Sequence, residues 1–188
     1  MANVTSIAID TLRQLLRYDP ETNKLFWRAR GIEYFSDGKQ SKEHNAAIWN
    51  GKYADCEAFT AHSGNGYLEG RIFNKKFRAH RVVWALHYGE WPSKHIDHIN
   101  GDGLNNRISN LRDVSASNNL KNQKLSVRNT SGVIGIQWIE RLGKWVASIR
   151  YEGRQIHLGV FANKEDAKQA RKAAESKYGF HENHGRIK

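Results

Sequence analysis

Between Lys94 and Val114 the chain reads KHIDHINGDGLNNRISNLRDV. Few conformations suit such a stretch. Ile96 and Ile99 predict a strand that runs into a turn, and Leu111 to Val114 predict a returning strand. The Asn, Gly and Asp residues between them favour turns, because short amide and carboxylate side chains bond to nearby backbone and glycine tolerates positive φ. Ser115 is placed to cap a short helix through Asn118, Asn119 and Leu120, since a serine hydroxyl accepts one of the first unpaired N–H groups of a helix.

Upstream, Ile9 to Tyr18 has the spacing of an amphipathic helix, stopped by Asp19-Pro20. Lys24 to Arg28 is strand-like. Residues 36–66 are weakly patterned and predict loops and short strands. Tyr67 to Phe73 and Lys76 to Ala79 flank Asn74-Lys75 as a hairpin, and His80 to Tyr88 predicts a helix ended by Gly89 and Pro92. Lys121 to Ser131 is polar and basic, the best linker candidate. Beyond it, Val133–Ile139, Lys144–Tyr151 and Arg154–Phe161 alternate as strands, with a tight turn at Glu152-Gly153. Asn163 caps a helix whose Ala167, Ala170 and Ala174 form a small-residue face. The expected fold class is therefore α+β, ending in a three-stranded antiparallel sheet with one helix packed on it.

The formal net charge is +11, and a basic excess of this size points to a polyanion, most commonly nucleic acid. The excess is uneven. Residues 120–188 carry fourteen Lys and Arg against six Asp and Glu, whereas residues 1–119 carry sixteen against thirteen. Cys56 is the single cysteine, which excludes an internal disulfide or a cysteine-rich zinc cage and fits a reducing, cytoplasmic setting. Met1 to Asp10 has no leader-like pattern, and no apolar run approaches the ~20 residues of a membrane span.

Hydrolysis of a phosphodiester needs a deprotonated water, a charge to neutralise the phosphate and a stabilised leaving oxygen. Asp97 and His98 are adjacent, and side chains of adjacent strand residues point to opposite faces, so the following turn must twist the chain if both serve one site. A carboxylate from Asp97 and an amide oxygen from Asn119 suit one Mg²⁺ (or Mn²⁺), which prefers oxygen ligands and keeps several waters. His98, mostly neutral at physiological pH, suits a general base, and Asn110 could fix its tautomer through the other ring nitrogen. His80 is either a second catalytic histidine or a packing residue, and the packing reading is preferred. Arg107 and Arg112 could clamp phosphates, or pair with Asp102 and Asp113.

His80-Arg81-Val82-Val83-Trp84, Trp91-Pro92, Ile96-Asp97-His98-Ile99-Asn100-Gly101-Asp102, Asn105-Asn106-Arg107, Asn110-Leu111-Arg112 and Asn118-Asn119 together closely resemble the HNH endonucleases of phage and intron homing systems. The resemblance spans roughly residues 8–122. It implies a ββα-metal fold, Asp97 and Asn119 as metal ligands, His98 as general base and Asn110 as the middle Asn of the motif. Asn119 stands where many relatives of the wider superfamily have His.

Strand parity divides the C-terminal sheet into two faces. Ile134, Ile136, Trp145, Ala147, Ile149, Ile156 and Leu158 share one, facing the helix. Gln137, Lys144, Ser148, Arg150, Gln155 and His157 share the other, with Val146 as its large apolar exception, and offer donors to phosphates and base edges. Ser131-Gly132, Gly135-Ile136, Lys144-Trp145, Ile149-Arg150, Leu158-Gly159-Val160-Phe161 and Glu165-Asp166-Ala167 resemble the Apetala2-type DNA-binding domain over roughly 129–180. Plant members carry more Arg and Trp on the DNA face than this chain does.

The expected organisation is a nuclease domain over 1–122 with its catalytic part at about 94–122, a basic linker over 123–131, and a DNA-binding domain over 132–188. The expected activity is site-specific, metal-dependent endonucleolytic cleavage of double-stranded DNA, of homing type, in the cytoplasm of a host cell and with no required protein partner. The alternative is a sequence-specific DNA-binding protein with an inactive HNH module.

Overall fold

The structure, a computed structural model, describes residues 7–187. The first six residues of the expected nuclease domain, and with them most of the segment read for a leader, lie outside the described residues. The chain divides into two compact units, 1–113 and 114–188.

The first unit opens with α1 (Ile9–Leu15), which passes directly into β1 (Leu16–Asp19). The helix expected to reach Tyr18 therefore ends at Leu15, and Leu16 is buried as a strand residue. β2 (Lys24–Trp27) pairs antiparallel with β1 and with β3 (Glu57–Ala58). Between β2 and β3 lies α2 (Lys42–Tyr53), capped by Ser41, whose hydroxyl accepts the His44 N–H at 3.3 Å. This helix falls where only loops and short strands were expected. Its buried face is a single residue, Ala46, so no apolar stripe announces it.

A second antiparallel sheet follows, β4 (Ala61–His62), β5 (Leu68–Ile72) and β6 (Lys75–Arg78). Its hairpin turns at Phe73 and Asn74, both with positive φ, one residue earlier than the sequence signal at Asn74-Lys75. α3 (Ala79–Tyr88) continues from β6 and ends where Gly89 adopts φ 76° and its N–H bonds the Ala85 carbonyl. One core holds these elements. Leu12, Leu15 and Leu16 meet Ile72, Phe77, Val82 and Val83, and Ile96 and Leu111 join the same cluster. Those last two residues anchor the paired strands β7 (His95–His98) and β8 (Leu111–Val114).

The second unit contains α4 (Ala116–Leu120), capped by Ser115, and the sheet β9 (Ile136–Ile139), β10 (Lys144–Tyr151) and β11 (Arg154–Phe161), antiparallel in the order β11-β10-β9. α5 (Lys164–Lys177) packs on it, capped by Asn163 as expected. Ala167 and Ala174 are buried against the sheet, and Arg171 is buried between them. Arg171 bonds Glu175 Oε1 at 2.8 Å and the Ser148 carbonyl at 2.5 Å, so its charge is paired. Gly135 makes room for this: a Cβ there would stand 2.3 Å from the Ser148 oxygen.

The segment expected as a linker is tied down within this unit. His181 N–H donates to the Lys121 carbonyl, Gly185 N–H to Gln123 and Leu125 N–H to the Arg186 carbonyl, at 3.1, 2.9 and 2.9 Å. The boundary between units accordingly falls at Asp113/Val114 rather than within 123–131.

Candidate active site

β7 enters the first unit under two restraints. Arg81 on α3 donates through Nη1 to the Lys94 carbonyl and through Nη2 to the Pro92 carbonyl, both at 3.0 Å. The Asp113 carboxylate accepts the Ser93 and Lys94 N–H groups at 2.8 and 3.0 Å. Asp113 is thus committed to backbone, and the alternative that pairs it with Arg112 does not hold. Ile96 drops into the core, and Asp97 and His98 are both buried, at 7% and 4% exposure.

The loop from Ile99 to Asn110 is built almost entirely by its own polar side chains. Asn110 Oδ1 accepts the Asn100 N–H at 3.0 Å, and its Nδ2 donates to the Asn105 carbonyl at 2.8 Å. Asn100 and Asp102 each accept the N–H two residues on, at 2.9 and 3.0 Å. Asn110 is therefore the pin of the loop. The side chain that meets His98 is Asn106, whose Oδ1 lies 3.1 Å from Nε2. The tautomer-fixing contact expected of Asn110 is made by this neighbour, buried to 3% exposure. The donor in this hydrogen bond is set by the ring tautomer, and Asn106 therefore bears directly on which nitrogen holds the proton. The doublet Asn105-Asn106 was visible in the sequence, but which of several asparagines reaches the histidine depends on the loop's path.

Two further rings pack on His98. His80 on α3 stands edge-on at 5.0 Å between centroids, and Tyr67 lies 5.6 Å from His98 and 5.1 Å from His80. Gly103 lets the loop close on Tyr67, because a Cβ there would stand 2.4 Å from the Gly66 carbonyl and 2.8 Å from the tyrosine ring. His80 is buried, and its Nδ1 has no hydrogen-bond partner among the described residues. Burial, with a smaller push from the positive fields of His98, Arg81 and Arg78, lowers its pKa from 6.5 to about 3. It is a neutral ring packed against His98 and Tyr67.

Asp97 Oδ2 accepts two N–H bonds from Arg112, from Nε at 2.9 Å and from Nη2 at 2.7 Å. Arg107 is exposed on the loop, and Asp102 is engaged with Leu104. Asn119 lies on α4, in the second unit. Among the described residues no three His, Cys, Asp or Glu side chains converge as a cation cage. Mg²⁺ does not require one, because it binds through one or two carboxylates together with substrate phosphates and water. The Asp97 carboxylate is an oxygen donor of that kind.

On the C-terminal sheet, Gln137, Lys144, Arg150, Gln155 and His157 are exposed and Ser148 is half-buried. Gln155 Nε2 donates to Ser148 Oγ at 3.1 Å. Ile136, Ala147 and Ile149 are buried on the opposite face. A bulge between Ala147 and Ser148 pairs Ser148 with His157 and Ala147 with Gly159. That extra residue shifts the parity of β11, so Ile156, Leu158 and Phe161 all turn inward.

Residues 77–121, which hold α3, β7, the asparagine loop, β8 and α4, match the HNH endonuclease family. Protein 3.8 of Escherichia phage T7 is 37% identical over 84 residues, covering 44% of this chain and 69% of the phage protein. No solved structure matches. The chain belongs to the family of phage protein 3.8 and carries an HNH endonuclease domain at residues 77–121.

Proposed function

We propose that the protein is a metal-dependent DNA endonuclease. The observation that carries the reading is His98: buried beside Asp97, bonded through Nε2 to Asn106, and lying inside the HNH segment. Its imidazole takes the proton of the attacking water. The loop asparagines hold the backbone of this strand end still, so the imidazole loses little freedom when substrate arrives. Asp97 is the carboxylate that would hold the divalent ion, and Asn119 is a further oxygen donor inside the HNH segment. Such an ion, when bound, supplies the charge that offsets the phosphate and stabilises the leaving oxygen. Arg107 lies exposed on the same loop and suits a phosphate contact.

The C-terminal unit serves as a DNA-binding module. Its exposed sheet face carries Lys144, Arg150, Gln137, Gln155 and His157, donors suited to phosphates and base edges. An Apetala2-like mode and a homing role are the finer form of this reading, with host-cell cytoplasm as the setting. Among the described residues no helix is long and apolar enough to cross a membrane.

The Asp97–Arg112 ion pair favours a second reading, in which arginine has taken the place of the metal and the module only binds DNA. Cleavage decides between them. Plasmid should be cut in Mg²⁺ and left intact in EDTA, and His98→Ala should slow cutting by ~10²–10⁴-fold while still binding DNA. An unaltered rate in that variant removes His98 as the base, and binding without any cutting by the natural sequence favours the second reading.

A further inference from the structure

We propose that the N-terminal unit holds its own site for the phosphates of duplex DNA, formed by Arg13, Arg17 and Arg28 and rimmed by His87. The proposal rests on the reading of DNA as the substrate. The four residues line one cleft of about 500 Å³, with Leu16 and Leu86 among its apolar lining. Arg13 comes from α1, Arg17 from β1, Arg28 from the residue after β2, and His87 from the last turn of α3. Among the described residues, no carboxylate lines the cleft.

This arrangement is not a by-product of a generally basic surface. Residues 1–119 carry sixteen Lys and Arg against thirteen Asp and Glu, so three arginines gathered in one concavity stand out from a near-neutral background. The nearest counter-charges sit outside the lining: Asp10 is 3.8 Å from Arg13 and Asp55 is 3.9 Å from Arg17, and both carboxylates are largely exposed. Pairs this long and this wet contribute little. Two of the guanidinium groups are held in place instead. Arg17 lies over the Phe26 ring at 4.2 Å, and Arg28 Nε donates to the Leu16 carbonyl at 3.4 Å. Planar, permanently charged forks suit phosphate oxygens.

The test uses the full chain and a labelled random-sequence duplex, with anisotropy titrations across a salt series. Arg13→Gln/Arg28→Gln should bind on the order of tenfold more weakly, with a salt slope shallower by about 1.8, at ~0.9 for each phosphate no longer neutralised. Arg13→Lys/Arg28→Lys keeps both charges and should keep most of the slope. Should the glutamine pair fail to fold by circular dichroism, Arg28→Gln alone, at an exposed position, should still cost about 0.9 in slope. An unchanged slope in folded glutamine variants, while the natural sequence binds and cuts DNA, overturns this site and leaves the nuclease reading standing. That result would assign the cleft to another partner, such as an acidic protein. If the natural sequence neither binds nor cuts duplex, both readings fall.

Discussion

Asp97 Oδ2 and the guanidinium of Arg112 are joined by two hydrogen bonds, at 2.9 and 2.7 Å. Asp97 is buried while Arg112 remains 36% exposed. Arg112 thereby neutralises a carboxylate that would otherwise sit buried beside His98.

Arg112→Ala should therefore destabilise the protein by about 2 kcal/mol, less than the ~3–5 of a fully buried pair because water reaches the arginine. Mg²⁺ should then raise the melting temperature of the variant more than that of the natural sequence, since the ion has no arginine to displace. Equal shifts in the two proteins would count against Asp97 as a ligand.

Asn106 faces His98 Nε2 at 3.1 Å. Asn106→Ala should reduce single-turnover cleavage by on the order of tenfold or more by freeing the ring tautomer, and cost ~1 kcal/mol of stability through the lost hydrogen bond. Asn110→Ala should instead loosen the whole Ile99–Asn110 loop, visible as faster amide exchange at Asn100 and Asn105. Indistinguishable exchange in the two variants would show that the asparagines do not divide these roles.

His80 titrates near 3 in the folded protein, well below its unfolded value of about 6.5. Between these values the unfolded chain takes up the proton more readily. Stability from the neutral, buried ring is complete above about 6.5 and is lost as the pH falls toward 3. Acidifying from pH 7 to 4.5 should cost about 2–3 kcal/mol through this residue. Urea midpoints at the two pH values would measure it, and His80→Gln should flatten the difference. An equally steep acid loss in the variant would place the effect elsewhere.

Arg186 Nη1 donates to the Asn122 carbonyl and Oδ1 at 2.6 and 3.0 Å, and the chain from Lys121 to Leu125 bonds to residues 181–186. A fragment beginning at Ser115 should thus be more stable than one beginning at Arg128 by about 2–4 kcal/mol, at ~1 kcal/mol for each hydrogen bond retained. Thermal melts of the two fragments would show it. Matching melting temperatures would mean that 121–127 is a tether after all.

Local chemistry was enough to read much of this chain. Gly89 after α3, Ser115 before α4 and Asn163 before α5 act within a few residues, through positive φ or a side-chain cap, and each terminates or starts its helix as expected. The Glu152-Gly153 turn and the two faces of the C-terminal sheet were legible for the same reason, since strand parity and turn conformation are properties of the local backbone. The conjunction of Asp97, His98 and the asparagine-rich loop was likewise contained in one stretch of twenty-one letters.

Tertiary structure decided what depends on partners distant in sequence or on choices among equivalent side chains. α2 buries only Ala46, so its helicity leaves no periodic trace. Leu16 satisfies a helical stripe and a strand equally well, and pairing with Trp27 settles it as strand. Asn105, Asn106 and Asn110 have the same chemistry, and only the folded loop determines that Asn106 reaches His98 while Asn110 pins the turn. Arg112 could have met Asp113 beside it, but Asp113 is drawn to the backbone of Ser93 and Lys94, and the arginine is left to the buried Asp97. Proximity along the chain makes such pairings available; desolvation in the folded core selects among them, because a buried charge without a partner is the costlier state.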